Sequence, residues 1–191
     1  MKSEHALIRL AVPVNNMDHV IGSEHVVTTL VEYGDFDCPT CERMNTCVRA
    51  LLTHFPQQLR FVFRHFPDER AHCQALMAAQ ASEAAAAQGR FWEMYRLLSR
   101  NSRQLARRHL DEYAASLGLN LARFKSEMDE EVYRQRVREH QDGARRSYVR
   151  GPPAFFVDGV MVDVSVGMHQ LYGAVRSQVL RRERAPRSGQ S

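Results

Sequence analysis

Val31-Glu32-Tyr33-Gly34-Asp35-Phe36-Asp37-Cys38-Pro39-Thr40-Cys41 carries the end of a strand, a break and the start of a helix in one short run. Upstream, Val26 to Tyr33 is β-branched and apolar, which predicts a strand. Gly34-Asp35-Phe36-Asp37 interrupts it. Downstream, Met44, Cys47, Val48, Leu51, Leu52 and Phe55 recur at three- and four-residue steps, the stripe of an amphipathic helix that Pro56 ends. Leu59 to Phe66 alternates as a second strand. The unit is β–α–β, so a right-handed crossover and parallel strands are expected.

Outward from this unit the pattern changes. Pro67 to Val149 is rich in Ala, Arg, Glu and Gln and predicts successive helices. The first has a stripe of Cys73, Leu76, Met77, Gln80, Ala81 and Ala84 and stops at Gly89. Phe91, Tyr95, Leu97 and Leu98 belong to the next, Leu110 to Leu117 ends at Gly118, and a charged segment covers Leu121 to Arg146. Strand character returns in Ala154–Val157 and Val160–Val162, joined by Asp158-Gly159, the residues of a type I′ hairpin turn. A last helix is expected over Met168–Leu180. This order predicts an α/β sheet with a helical subdomain inserted in its middle. The expected divisions are an N-terminal extension over 1–18, the α/β domain over 19–66 and 150–180, the insert over 67–149, and a disordered basic tail over 181–191.

The 191 residues are 44% hydrophobic and 25% charged, with a formal net charge of +4, the composition of an ordinary globular protein. Arg181, Arg182, Arg184 and Arg187 supply much of the excess. A solvated tail is the expectation there, and no nucleic-acid partner. No apolar run reaches the roughly 20 residues of a membrane span. Met1 to Asn16 lacks the pattern of a secretory signal, since Arg9 and Pro13 interrupt its apolar stretch. A cytoplasmic location is the resulting expectation.

Four cysteines are too few for a disulfide scaffold in a chain of this length. Thiol–disulfide exchange needs a stabilised, exposed thiolate and a second thiol close enough to resolve the mixed disulfide. Pro39 suits the first helical position, which has no N–H to satisfy. Cys38 then falls at the cap, where free backbone N–H groups and the helix dipole favour a negative sulfur. Cys41 follows one turn behind and is less exposed. Cys38 is therefore read as the nucleophile and Cys41 as the resolving thiol. Asp35 and Asp37 oppose ionisation of Cys38 if close, and Thr40 offers only a hydroxyl, so the expected lowering of the Cys38 pKa is moderate. Glu32 interrupts an apolar strand. It is either a buried carboxyl with a raised pKa, able to take the proton of Cys41, or an edge residue facing water.

Zinc is the main rival chemistry, with Cys38 and Cys41 joined by Cys47, Cys73 or a histidine. Structural zinc sites usually pair two short ligand clusters, and no second one is present, so no metal is expected. Cys47 and Cys73 lie on apolar stripes and are expected buried. Trp92 is expected in the core of the insert, and His65 in a loop. Motifs for nucleotide, serine-hydrolase or zincin chemistry do not occur.

The active-site run resembles that of DsbA-like thioredoxin-fold proteins. The resemblance continues at Gly89-Arg90-Phe91-Trp92-Glu93-Met94 and at Val149-Arg150-Gly151-Pro152-Pro153-Ala154-Phe155-Phe156-Val157-Asp158-Gly159, and spans roughly His19 to Leu180. It implies a thioredoxin-like fold with an inserted helical subdomain, and disulfide exchange on protein or peptide substrates. No cofactor beyond a redox-active Cys38–Cys41 pair is implied, with glutathione as a conceivable co-substrate and the recycling partner open. Glu32 matches the family's buried acid. Pro39, Thr40, Pro152 and Pro153 line the implied substrate site, and Pro153 matches a cis-proline beside the nucleophile. Pro152 departs from the family, which has Thr or Val there. Without an N–H, Pro152 cannot pair fully with a bound peptide strand. The alternatives on the same fold are a glutathione-dependent transferase or isomerase, against which the intact cysteine pair weighs, and a non-catalytic peptide-binding or chaperone module.

Overall fold

The computed structural model describes residues 7–22 and 28–184. Its strands are β1 His19–Gly22, β2 Thr28–Gly34, β3 Leu59–His65, β4 Ala154–Val157 and β5 Val160–Val162. Its helices are α1 Pro39–His54, α2 Ala75–Ala86, α3 Phe91–Arg100, α4 Arg107–Ser116, α5 Leu121–Asp129, α6 Arg134–Arg146 and α7 Met168–Arg184. The strands form one sheet in the order β1-β3-β2-β4-β5. β2 and β3 run parallel across the α1 crossover, and every other pair is antiparallel. This is the thioredoxin-like α/β fold, with α2 to α6 inserted between β3 and β4.

Alternation on the two central strands sorts side chains to opposite faces. Leu30, Phe61, Phe63, Phe155 and Val157 pack with α1, α7 and much of the insert. Val31, Tyr33, Val62 and Phe156 pack with Ala144 of α6 and with Leu10 and Val14 of the N-terminal segment. β2 is thus covered on both faces and both edges. Glu32, in its middle, is 1% exposed, so the edge-strand alternative is excluded.

The N-terminal segment is stitched to this body by Arg64 of β3. Its guanidinium donates to both Asp18 carboxylate oxygens at 2.7 and 2.8 Å and to the Val12 and Pro13 carbonyls. Val12, Pro13 and Asp18 are accordingly tied to the sheet, while Leu7 and Met17 stay largely exposed. Arg9 also bridges to Val160.

Val26 and Val27 of the expected first strand, and 185–191 of the expected tail, lie outside the described residues. Other expectations need correction. β1 joins the sheet although its four residues gave no clear signal. The Leu121–Arg146 segment is two helices, broken where Glu131 turns to φ 51°. Cys73 precedes α2 and is exposed. His65 is the last residue of β3 and is fully buried. The final helix continues to Arg184, so Arg181, Arg182 and Arg184 form its last turn, where cations suit the negative end of the dipole. Arg182 also pairs with Asp158 at 3.1 Å. The Asp158-Gly159 turn has both φ angles positive, 48° and 79°, as the hairpin requires.

Candidate active site

Cys38 is the N-cap of α1 and Pro39 its first helical residue. The cap residue is extended (φ −92°, ψ 117°), and its Sγ accepts the Cys41 N–H at 3.4 Å. Hydrogen bonding from the Cys41 thiol, with help from the Cys41 and Thr40 backbone N–H groups, brings Cys38 down from 9.0 to about 6. Burial and the charge of Asp35 oppose that shift. Cys41 moves the other way. Burial first, then the hydrogen bond to Cys38 and the charge of Glu32, push it well above its ordinary range. One sulfur is therefore ionised near neutrality and its neighbour holds its proton.

Cys38 is 5% exposed and Cys41 3%. The expected exposed thiolate is in fact nearly covered, because β4 is entered beside it. The Pro152–Pro153 peptide is cis, and the Cys38 thiol lies 3.8 Å from the Pro152 carbonyl, which is placed to accept its proton. Pro39 and Thr40 are on the exposed side of the helix start, with Thr40 Oγ1 accepting from Arg43 at 2.9 Å.

Glu32 lies under the cysteines. Neither carboxylate oxygen has a hydrogen-bond partner in the described structure. Burial, reinforced by the negative charge of Cys38, raises its pKa from 4.5 to about 8. Gly34, two residues on, leaves it room. A Cβ there would stand 2.5 Å from the Phe63 ring and 2.9 Å from Glu32 Oε1. The Tyr95 hydroxyl donates to Asn45 Oδ1 at 2.9 Å, and its ring packs edge-on to Phe36 and Phe63.

The two aspartates before Cys38 organise the loop that leads into the insert. Asp35 accepts from the Asp37 and Asp68 N–H groups at 2.8 and 3.0 Å and pairs with His72 Nδ1 at 2.6 Å. Asp37 accepts the Gln74 N–H at 3.0 Å. Burial lowers the His72 pKa, but the hydrogen bond and charge of Asp35, aided by Cys38, leave it raised overall. His72 is thus an imidazole whose charged form Asp35 and Cys38 favour, a neighbour of the thiolate that the sequence reading missed. It is remote from Asp35 in sequence, and only the loop geometry brings the two together. Cys47 is buried on α1, as expected. Trp92 is half-buried and donates to the Val20 carbonyl at 3.0 Å, fastening α3 to β1. Among the described residues the four cysteines join no group of three potential metal ligands.

A thioredoxin fold with a helical insert, a cysteine pair at a helix start and a cis-proline alongside is the framework of the DsbA-like proteins. The family model described as "Thioredoxin" matches residues 14–176. The chain belongs to the thioredoxin family, and its fold is of the DsbA-like kind. Among solved structures, oxidised BdbD from Bacillus subtilis superposes with a TM-score of 0.77 at 18% identity, covering 85% of this chain and 93% of BdbD. A thioredoxin-like oxidoreductase from Silicibacter pomeroyi gives 0.75 at 24% identity over 90% and 95%. Wolbachia pipientis alpha-DsbA1 gives 0.74 at 15% over 90% and 95%. Among curated proteins, Na(+)/H(+) antiporter NhaA 1 of Salinispora arenicola is 42% identical over 172 residues, 90% of this chain. This chain spans 26% of that relative's length. No described helix is long and apolar enough to cross a membrane.

Proposed function

We propose that the chain is a thiol–disulfide oxidoreductase acting on protein or peptide disulfides, with Cys38 as nucleophile, Cys41 as resolving thiol and Glu32 as proton acceptor. The observation that carries this reading is the geometry of the pair: Cys38 caps α1 and its Sγ accepts the Cys41 N–H at 3.4 Å, an arrangement that lowers Cys38 to about 6 while burial raises Cys41.

In the reductive direction the Cys38 thiolate attacks one sulfur of a substrate disulfide. The substrate S–S bond breaks, a Cys38–substrate bond forms, and the other substrate sulfur leaves as thiolate and takes up a proton. Cys41 then passes its proton to Glu32 and attacks Cys38 Sγ. That step releases the second substrate thiolate and leaves a Cys38–Cys41 disulfide. The oxidative direction reverses these bonds. The cysteine pair is itself the redox group, and no further cofactor enters. Pro152 offers a carbonyl but no N–H to an extended substrate, and Pro153, Pro39 and Thr40 border its approach. Glutathione is proposed as a small thiol able to recycle the pair.

The antiporter names belong to proteins about four times the length of the stretch they share with this chain. We assign the disulfide chemistry, and not ion exchange, to that shared stretch. Sodium-dependent proton flux in vesicles containing this chain alone would overturn that division.

The main test is iodoacetamide alkylation against pH, combined with a glutathione redox titration and insulin reduction. Expected are an inflection near pH 6 lost in Cys38→Ser, one reversible disulfide, and turnover of insulin. A Cys38 that titrates as a free thiol and pairs with no other cysteine sinks the assignment.

A further inference from the structure

Away from the cysteines, three elements bring nitrogen and oxygen donors to one point. His19 opens β1, His65 closes β3 and Glu83 lies in α2. Both imidazole Nε2 atoms stand 2.9 Å from the same carboxylate oxygen, Glu83 Oε1. All three ligand atoms lie within 4.8 Å of one another. The rings are held rigidly. His19 stacks on Phe91 at 3.5 Å, and His65 stacks on His140, whose Nδ1 accepts the His65 backbone N–H.

Charge balance makes this cluster informative. The Glu83 carboxyl is 7% exposed, and an ionised carboxylate taken out of water needs a compensating positive charge. Both imidazole Nε2 atoms converge on one oxygen of that carboxylate, so a single dication placed among the three atoms would supply the charge. Two imidazoles and a carboxylate suit a borderline metal better than calcium or magnesium, which prefer all-oxygen ligands.

We propose that His19 Nε2, His65 Nε2 and Glu83 Oε1 bind a divalent transition metal of the zinc class. Ligand atoms around tetrahedral zinc stand about 3.3 Å apart, so the two 2.9 Å contacts open by a few tenths of an ångström. The metal replaces the hydrogens between nitrogen and oxygen, and each ring carries its remaining proton on Nδ1. The fourth position is left to water on the side of His19, whose side chain keeps 16% of its exposure and marks the way in. Bound there, the ion cross-links two neighbouring strands of the sheet to the first helix of the insert, independently of the redox centre.

The test uses the full chain with Cys38→Ser and Cys41→Ser, because the dithiol would itself take up zinc. Zinc titration against a chromogenic chelator is expected to show one equivalent bound. His19→Ala and Glu83→Gln should each weaken binding at least about tenfold and abolish the rise in melting temperature that zinc produces. Cobalt(II) should give visible d–d bands with no sulfur-to-metal charge-transfer band. No stoichiometric uptake, affinity unchanged in the variants, or a thiolate signature from cobalt each overturns the proposal. Should Glu83→Gln fail to fold, His19→Ala, at the partly exposed end of the cluster, decides alone.

Discussion

Replacing Glu32 with Gln tests the buried acid through stability, without assuming turnover. In the unfolded chain the carboxyl ionises near 4.5, whereas in the fold it does so near 8. Below the lower value both states hold the proton and nothing is lost. As pH rises past 4.5 the unfolded chain releases its proton first, so it binds fewer protons than the native state and stability falls. The fall stops once the native carboxyl also ionises, near pH 8. At about 1.4 kcal/mol per pH unit, this one group removes about 3–4 kcal/mol between pH 5 and pH 8. Gln cannot ionise. It leaves an amide unpartnered in the same space, a fixed cost of about 1–3 kcal/mol that does not vary with pH. Urea unfolding of both proteins at half-unit steps from pH 5 to pH 8 should therefore show their stabilities converging and then crossing, with the variant favoured at the alkaline end. A difference that stays flat across the series refutes the raised pKa, and with it the proton-acceptor role. Because burial outranks the Cys38 charge among the causes, much of the slope should survive in the disulfide form.

Three further outcomes follow from named contacts. His72→Asn removes the imidazole whose charged form Cys38 favours, and the alkylation inflection of Cys38 should move up; an unmoved inflection means that His72 serves the loop alone. Pro152→Thr restores a backbone N–H beside the nucleophile and should lower the Michaelis constant for a peptide disulfide; an unchanged or higher constant counts against strand-like capture. Asp18→Ala leaves the Arg64 guanidinium buried without its carboxylate, at a cost of about 3 kcal/mol. Chemical denaturation reads that directly, and a loss below about 1 kcal/mol would mean that the Val12 and Pro13 carbonyls suffice.

What the sequence disclosed was local. The β–α–β unit, the cap at Cys38 and the Asp158-Gly159 turn each depend on residues a few positions apart, so periodicity and turn chemistry reached them. Glu32 was noticed because a carboxylate in an apolar run is costly anywhere, but choosing between edge and centre required the strand order. His65 was misplaced although its signal was present. Phe61 and Phe63 set the inward face of β3, and one more step of the same alternation puts His65 on it. Cys73 fitted a helical stripe on paper, but α2 begins only after Asp37 has tied down the Gln74 N–H. His72 and the His19–His65–Glu83 cluster had no sequence signal, because their partners come from distant parts of the chain.

Gly34 couples the backbone of β2 to the buried acid. Its bare α-carbon leaves the gap in which the acid sits, closed on one side by the Phe63 ring and on the other by the carboxylate itself. Even a methyl group at that position would force the acid or the aromatic ring to give way. Backbone, acid and ring thus meet at one crowded point. Small changes in how Phe63 packs should be heard first in the speed of proton transfer, before they register in how firmly the protein holds together.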